Sequence, residues 1–153
     1  MKFIVITLCV LLSKAMSEQT YSSDVKILTP EESLKAISAA IQGESTKLAE
    51  ETGRSVPPDN GGNYGDLIHR YRENRDRLLL REVVVIRQLS SVEQDLQWTV
   101  SISGARVSSV RVLNFGRERA YGLRIDVAGG DVQAIIRIPP LYDPRIMIEI
   151  YGY

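Results

Sequence analysis

The side chains able to carry acid–base or metal chemistry are few, and no spacing between them marks a reaction. His69 is the single histidine, and no HExxH or related metal-ligating pattern surrounds it. Eleven acidic residues follow position 63, none of them paired in a way that marks a glycosidase, and GxSxG is absent. We therefore predict no catalytic, cofactor-binding or metal-ligating residues, and we expect His69 on the surface or at a strand edge. A small secreted hydrolase using His69 or two carboxylates is kept as an alternative, because such sites are assembled in space.

Arginine is concentrated between residues 70 and 87. Arginine beside aromatic residues is typical of surfaces that bind RNA or small anions, and Tyr64 and Tyr71 lie close in sequence. Acidic residues interleave with these arginines, however, and cancel most of their charge. The pattern favours a solvated face crossed by salt bridges, without direct nucleic-acid binding. The arginines are Arg70, Arg72, Arg75, Arg77, Arg81 and Arg87, and the acidic residues are Asp66, Glu73, Asp76 and Glu82.

The overall charge also argues against a strongly basic nucleic-acid or membrane-surface protein. The 153 residues carry 19 basic and 19 acidic side chains, a formal net charge of zero. Counterion release from a phosphate backbone needs a surplus of Lys and Arg, which this chain lacks. A charged fraction of 25% and this length are typical of one soluble globular domain.

Residues 1–17 have the composition of a secretory signal peptide. Met1-Lys2 is a basic start, and Phe3–Leu12 is an unbroken apolar run that is too short to span a bilayer. Small residues then allow cleavage after Ala15 or after Ser17. We predict a secreted, extracellular protein without a membrane span; the alternative is a buried N-terminal strand.

Removal of this leader would change the chemistry open to the chain. Cys9, the single cysteine, is lost, which excludes thiol catalysis, thiolate metal sites and disulfides in the mature form. Lys2 and Lys14 are lost as well, leaving 17 basic against 19 acidic residues and a net charge of −2. The mature domain must then be stabilised by its core alone.

Residues 18–63 are predicted to form a helical extension followed by a linker. The sequence TPEE at 29–32 is a capping box with proline at the first helical position. Apolar residues then recur at helical spacing, so we predict an amphipathic helix from about Pro30 to Thr52, weakened at Gly43. Residues 53–63 (GRSVPPDNGGN) are rich in proline and glycine and are typical of a linker. The apolar helix positions are Leu34, Ile37, Ile41 and Leu48.

From Leu78 onward apolar and polar side chains alternate, and residues 64–153 are therefore predicted to form a mainly β domain. The expected fold is an antiparallel sandwich or barrel of about six strands, with Gly129-Gly130 as a two-residue hairpin turn. Trp98 alternates with aliphatic residues and is predicted to be in the core. Tyr151 and Tyr153 are expected to pack on an edge strand; the alternative is an exposed recognition pair. The six strand candidates are residues 82–88, 96–102, 106–114, 121–127, 132–138 and 146–151.

Four short motifs follow one another in a fixed order through this β-rich region: Gly65-Asp66 with Asp76-Arg77-Leu78-Leu79, then Val110–Asn114, then Ala120–Gly130 with its paired glycines, and finally Ile148–Gly152. In this order the motifs resemble the multiprotein bridging factor two family of small secreted arthropod proteins, which includes salivary secreted peptides. Three features depart from the family pattern. Asn114 stands where the family more often has aspartate, residues 139–144 replace a polar stretch, and the helix is an addition.

The resemblance implies a signal peptide followed by a compact β-rich domain, and it supplies no catalytic site. The family name comes from a proposed transcriptional co-activator that bridges a DNA-bound factor to the general transcription machinery. We expect a secreted, non-enzymatic protein that binds an extracellular protein or a small ligand in saliva or haemolymph, without a cofactor. The co-activator and the small secreted hydrolase are the alternatives.

Overall fold

Two antiparallel sheets enclose one apolar core. The computed structural model describes residues 20–38, 65–86 and 89–153, and it describes the backbone alone for 6–9 and 44–47. In chain order the elements are β1 (Ile6–Cys9), β2 (Tyr21–Leu28), α1 (Pro30–Ser38), β3 (Glu44–Lys47), β4 (Leu67–His69), β5 (Arg77–Val85), β6 (Gln94–Ile102), β7 (Val107–Asn114), β8 (Tyr121–Ala128), β9 (Asp131–Ile138) and β10 (Arg145–Gly152).

The strands form two sheets that are not closed into a barrel. The first sheet has the order β1-β5-β10-β7-β4, and the second has the order β2-β6-β9-β8-β3. All strand pairs are antiparallel within each sheet. Because side chains alternate between faces, the inward-facing apolar residues of both sheets meet and form the core. The predicted mainly β, antiparallel fold is confirmed in its sandwich form.

The predicted count of six strands is wrong, although each predicted segment overlaps an observed strand. Those six are β5 to β10, and β1 to β4 are additional. The additional strands β1, β3 and β4 have only three or four residues, too few to show a periodic pattern. In β2, whose sequence is mostly polar, Val25 and Ile27 pack against the core while Asp24 and Lys26 face outward.

The helix is shorter than predicted, and it is inserted within the sandwich sequence instead of preceding it. It spans Pro30–Ser38 and follows β2, a strand of the second sheet. Glu44–Lys47 is a strand paired with β8, so the predicted helix to Thr52 is wrong over these four residues. Gly43 disfavours continued helix, and the edge of β8 offers backbone partners to the residues that follow.

The predicted capping box is confirmed at the start of α1. The backbone N–H of Thr29 donates to Glu32 Oε2 at 2.9 Å, and the N–H of Glu32 donates to Thr29 Oγ1 at 3.3 Å. Lys26 Nζ also donates to Glu32 Oε1 at 2.6 Å. The bond from Lys26, with that from the Thr29 backbone, lowers the pKa of Glu32 to about 2. The sequence therefore specifies where this helix begins more sharply than where it ends.

Two predicted segments lie wholly or largely outside the described residues. These are the signal peptide, residues 1–17, and the linker, residues 53–63. Within the first, the backbone of β1 pairs with Glu82–Val85 at the edge of the first sheet. Leader cleavage stays a prediction. Among the residues that the structure describes, no helix has both the length and the apolar character needed to cross a membrane.

Trp98 and the β8–β9 hairpin have the predicted positions. Trp98 is fully buried in the core on β6. Gly129 and Gly130 connect β8 to β9, and Gly129 has a φ of 63°, a conformation that glycine adopts without steric cost. A Cβ on Gly130 would lie 2.3 Å from the carbonyl oxygen of Ile102. The turn therefore requires glycine for its conformation at the first position and for close packing at the second.

A polar network fastens α1 to the outer face of the second sheet. The Ser33 hydroxyl donates to Asp95 on β6, and Arg137 on β9 donates to the same carboxylate at 2.8 and 2.9 Å. Burial by itself raises the pKa of Asp95, but the hydrogen bonds from Arg137 and Ser33 outweigh it and lower the pKa below its ordinary value of 3.8. Folding is therefore linked to the ionised form of Asp95.

Replacing Asp95 with Asn should lower the free energy of unfolding by about 2 kcal/mol at neutral pH, because the charged acceptor is lost. A carboxyl whose pKa is lowered in the folded state stabilises the fold above the unfolded pKa, here near 3.8. That stabilisation is lost as the pH falls through the lower folded pKa. Urea unfolding of wild type and Asp95→Asn should therefore differ at pH 7 and converge toward pH 2.

Glu93→Gln is the matched control, since Glu93 pairs with the same Arg137 at 3.2 Å but its side chain is 53% exposed. We expect that change to cost at most about 0.5 kcal/mol. A constant difference between wild type and Asp95→Asn across the pH range would contradict the linkage.

Candidate anion site on the outer face of the first sheet

Register places three charged side chains side by side on the outer face of the first sheet. Glu149 on the central strand β10 lies opposite Arg81 on β5 and opposite Arg111 on β7. Residues directly opposite on antiparallel strands have neighbouring Cβ atoms, so their side chains meet. The sequence separates these residues by 68 and 38 positions, and only strand pairing brings them together.

The Glu149 carboxylate is the hub of this arrangement. Its side chain is only 4% exposed, and Oε1 accepts from Nε and Nη2 of Arg81 at 2.9 and 2.7 Å. Oε2 accepts from Arg111 at 3.3 Å and from the hydroxyl of Tyr151 at 3.1 Å. The hydrogen bond to Glu149 raises the pKa of Arg81, although burial opposes the shift. One buried carboxylate thereby fixes two guanidinium groups and one phenol.

Tyr151 extends the cluster toward the loop that follows β4. The guanidinium of Arg72 lies 5.0 Å from the centroid of the Tyr151 ring, within the range of a cation–π contact. Tyr151 is buried on β10 while Arg72 is exposed. The ring therefore supports one face of an arginine whose other side is open to solvent.

The backbone at Arg70 turns the chain over this face. Arg70 has a φ of 55°, which is uncommon for a residue with a side chain. Its carbonyl oxygen accepts from the hydroxyl of Ser109, a fully buried residue, at 2.9 Å, which holds the turn against β7. Backbone conformations of this kind persist where the surrounding structure requires them, and they concentrate at functional sites.

These elements surround a cavity of about 270 Å³. Arginine contributes half of its lining residues, and Tyr71 and the Ser109 hydroxyl add further polar groups. A volume of this size equals several waters at about 30 Å³ each and accommodates one oxyanion. We call it the arginine cavity; it is lined by Ile68, Arg70, Tyr71, Arg72, Ser109 and Arg111.

The charge at the arginine cavity favours an anion. In the described part of the chain, no carboxylate lies within ion-pair distance of Arg72. Arg111 shares Glu149 with Arg81, so a single negative charge is divided between two cations. Guanidinium groups bind carboxylate, sulfate or phosphate through paired N–H donors. The arrangement can hold an anion by charge and hydrogen bonding.

Hydrogen bonds around the buried side chain of Asn114 anchor the segment that carries Arg70 and Arg72. The side-chain amide of Asn114, at the end of β7, donates to Asp66 Oδ1 at 2.9 Å and to the carbonyl of Ala120 at 3.0 Å. The Asn114 side-chain oxygen accepts from the N–H of Ala120 at 2.8 Å. The carbonyl of Gly65 accepts from the N–H of Gly122 at 2.8 Å. These bonds fix the start of β4 between the two sheets.

The arginine stretch therefore divides into groups with different roles. Arg81 does form a salt bridge, but its partner is Glu149 and not one of the four predicted acidic residues, of which Glu82 is buried. The prediction also misses the cavity that Arg70 and Arg72 help to line. Arg75 is exposed and outside the cavity lining, while Tyr64 and Arg87 lie outside the described residues. Sequence reasoning also misses Ser109, Arg111 and Glu149, and it does not connect Tyr151 with the arginines, because these residues come from strands far along the chain.

Other predicted positions have mixed outcomes. His69 lies on the edge strand β4, as one prediction allowed, but it is buried and not on the surface. Tyr151 packs on β10, a central strand, so the expected edge-strand position is wrong. Tyr153 is 55% exposed, with Arg106 lying 6.0 Å from its ring centroid. The two tyrosines do not form one pair.

A second concave surface lies on the outer face of the second sheet. It encloses about 450 Å³ and is lined by hydroxyl, amide and carboxylate groups, including Asp24, Asp126 and Asp131. Asp126 is fully buried and accepts from Nε of Arg124 at 2.8 and 2.7 Å, so its charge is already matched. Among the described residues, no group of three or more His, Cys, Asp or Glu side chains is placed to hold a metal ion.

Neither a family model nor a curated protein nor a solved structure matches this chain.

Gly65 gives a direct test of the anchoring of β4. A Cβ at Gly65 would lie 2.3 Å from the carbonyl oxygen of Ala120, and the residue has a φ of 90°. We expect Gly65→Ala to lower the free energy of unfolding by about 3 kcal/mol, from the left-handed backbone and the clash together. Urea unfolding followed by circular dichroism measures the change.

Gly104→Ala is the matched control. Gly104 also has a positive φ, of 72°, but nothing lies within 4 Å of the position that an added methyl group would take. This variant should lose only about 1 to 2 kcal/mol, the cost of the backbone conformation. Equal losses in the two variants would show that the contact with Ala120 contributes nothing.

Proposed function

We propose that this chain is a secreted, non-enzymatic binding protein of an extracellular fluid such as saliva or haemolymph, and that it holds an anionic group of its partner in the arginine cavity. The observation that carries the proposal is the convergence of Arg70, Arg72 and Arg111 on one cavity of about 270 Å³. The class of ligand follows from this donor set: a carboxylate, sulfate or phosphate on a small molecule or on an extracellular protein.

Preorganisation supports the assignment of binding to this face. Arg111 is held by Glu149, and Arg72 is stacked on Tyr151. Side chains that are already fixed lose less conformational entropy when a ligand arrives. The backbone of Arg70 is held by the hydroxyl of Ser109, which fixes the point from which this third arginine extends.

Secretion is supported by the sequence, through the basic and apolar start and the resemblance to the multiprotein bridging factor two family. An extracellular binding protein needs no catalytic residues. A cavity lined by arginines and a tyrosine is consistent with such a binding role. A co-activator would accumulate in the nucleus, whereas a secreted binding protein would accumulate outside the cell. The location of the chain therefore distinguishes the two alternatives.

Anion binding is tested by titrating the ¹⁵N-labelled protein with sodium sulfate, using sodium chloride of equal ionic strength as the reference. Backbone signals of residues 70–72 and 109–111 should shift and saturate with sulfate alone. Arg72→Gln should weaken sulfate binding about fivefold, since loss of one partly exposed ion pair is worth about 1 kcal/mol.

Arg75→Gln is the control, because it removes the same charge from the same stretch but outside the cavity lining. It should leave sulfate affinity within about twofold, which is the effect of long-range charge alone. If Arg75→Gln weakens binding as much as Arg72→Gln does, the cavity has no specific role and only the general field attracts the anion.

Secretion is tested by expressing the full chain in insect cells. We expect the protein in the medium, with a mass spectrum that shows an N-terminus at Met16 or Glu18, because cleavage falls after Ala15 or Ser17. Protein retained in the nucleus with residues 1–17 intact would overturn the secretory assignment and favour the co-activator.

A further inference from the structure

Apolar side chains lie beside the arginine cavity on the outer face of the first sheet. Register places Met147 on β10 opposite Val83 on β5 and opposite Leu113 on β7. All three are partly exposed and alternate with the buried residues of their strands, so they face outward. Phe115, two residues beyond Leu113, is 54% exposed. We call this set the apolar stripe; it consists of Val83, Leu113, Phe115 and Met147.

The apolar stripe is continuous with the arginine cavity along β7. Arg111 lines the cavity, and Leu113 follows it on the same face, about 7 Å further along the strand. The N–H of Phe115 donates to the carbonyl of Arg145 at 3.1 Å, so pairing with the chain of β10 extends to Phe115. Alternation then returns the Phe115 side chain to the outer face. A molecule whose charged end is held in the cavity therefore has hydrocarbon directly beside it.

The chemistry of the stripe favours an alkyl chain over a peptide. At Met147, β10 pairs with β5 on one side and with β7 on the other, so its backbone groups are already used. The side chains of the stripe add hydrocarbon and one thioether. A peptide laid on this surface would leave its own N–H and C=O groups without partners, which is costly. An alkyl chain carries no such groups.

The width of the stripe favours a single chain over a membrane surface. Met147 lies between Glu149 and Arg145 on the outer face of β10, so the apolar surface on this strand is one residue wide. A bilayer would bring those charged neighbours against hydrocarbon, whereas one alkyl chain contacts the apolar residues alone.

We propose that the anion held in the arginine cavity is the head group of a free single-chain amphiphile, an alkyl carboxylate, sulfate or phosphate, and that its alkyl chain lies on the apolar stripe. The inference rests on the proposed anion site and names the class of ligand for it. Arg72 and Arg111 bind the oxyanion through charge and N–H donors. The stripe adds affinity in proportion to the apolar area that the chain covers.

A series of alkyl sulfates separates the contribution of the chain from that of the head group. The purified protein is titrated by calorimetry with methyl, butyl and hexyl sulfate at equal ionic strength. A chain lying on a surface buries about half of each methylene, so affinity should rise about twofold per methylene and about thirtyfold from methyl to hexyl sulfate. The ¹³C-labelled methyl signal of Met147 should shift with hexyl sulfate and stay in place with methyl sulfate.

Leu113→Thr should weaken hexyl sulfate about fivefold and change methyl sulfate by less than about twofold, because it removes apolar area from the stripe alone. Leu34→Thr is the matched control. It makes the same replacement at a residue that is 72% exposed on α1, the helix fastened to the second sheet, and it should leave both affinities unchanged. If Leu113→Thr does not fold, the Met147 signal of wild type carries the test.

Equal affinities for methyl and hexyl sulfate would overturn this inference and leave the anion site in place. Failure of every sulfate to bind would overturn the anion site and this inference together. Hexyl sulfate binding that Arg72→Gln does not weaken would place the amphiphile elsewhere and overturn the inference. Binding to phosphatidylglycerol vesicles without any gain from chain length in solution would overturn it in favour of a membrane surface.

Discussion

The hydrogen bonds around Asn114 are the constraint on which the candidate site depends. This one side chain accepts from Ala120 and donates both to Ala120 and to Asp66, with all three residues buried. A buried amide of this kind is stabilising only when its donors and acceptor are all paired. Because the end of β7, the segment before β8 and the start of β4 meet there, these hydrogen bonds tie the first sheet to the second.

The position of the arginine cavity depends on this anchoring, because Arg70 and Arg72 follow the very short strand β4. β4 has three residues, too few for its own ladder to fix the position of Arg70 and Arg72. The hydrogen bonds around Asn114 hold the start of β4, and the hydrogen bond from Ser109 to Arg70 holds the turn that follows the strand. On the same sheet, Glu149 on the central strand β10 fixes Arg81 on β5 and Arg111 on β7 by hydrogen bonds. The arrangement of charged side chains on this face is therefore a product of tertiary pairing, and no single segment contains it.

This dependence explains what the sequence could and could not predict. Period-two alternation identifies β5 to β10, and the capping box identifies the start of α1, because both signals are local. The short strands β1, β3 and β4 give no periodic signal, and the predicted helix is wrong over Glu44–Lys47 because these residues pair with the edge of β8. The arginine stretch suggests an anion-binding surface or a salt-bridged face, and the choice between them requires Glu149 and Arg111, whose positions depend on register.

A crystal soaked in selenate tests most directly whether the arginine cavity is an anion site. The anomalous signal of selenium locates a bound oxyanion independently of the protein atoms around it. We expect a peak inside the cavity, within hydrogen-bond distance of Arg72 and Arg111. A cavity without a peak, with selenate found only at other surface cations, would contradict it.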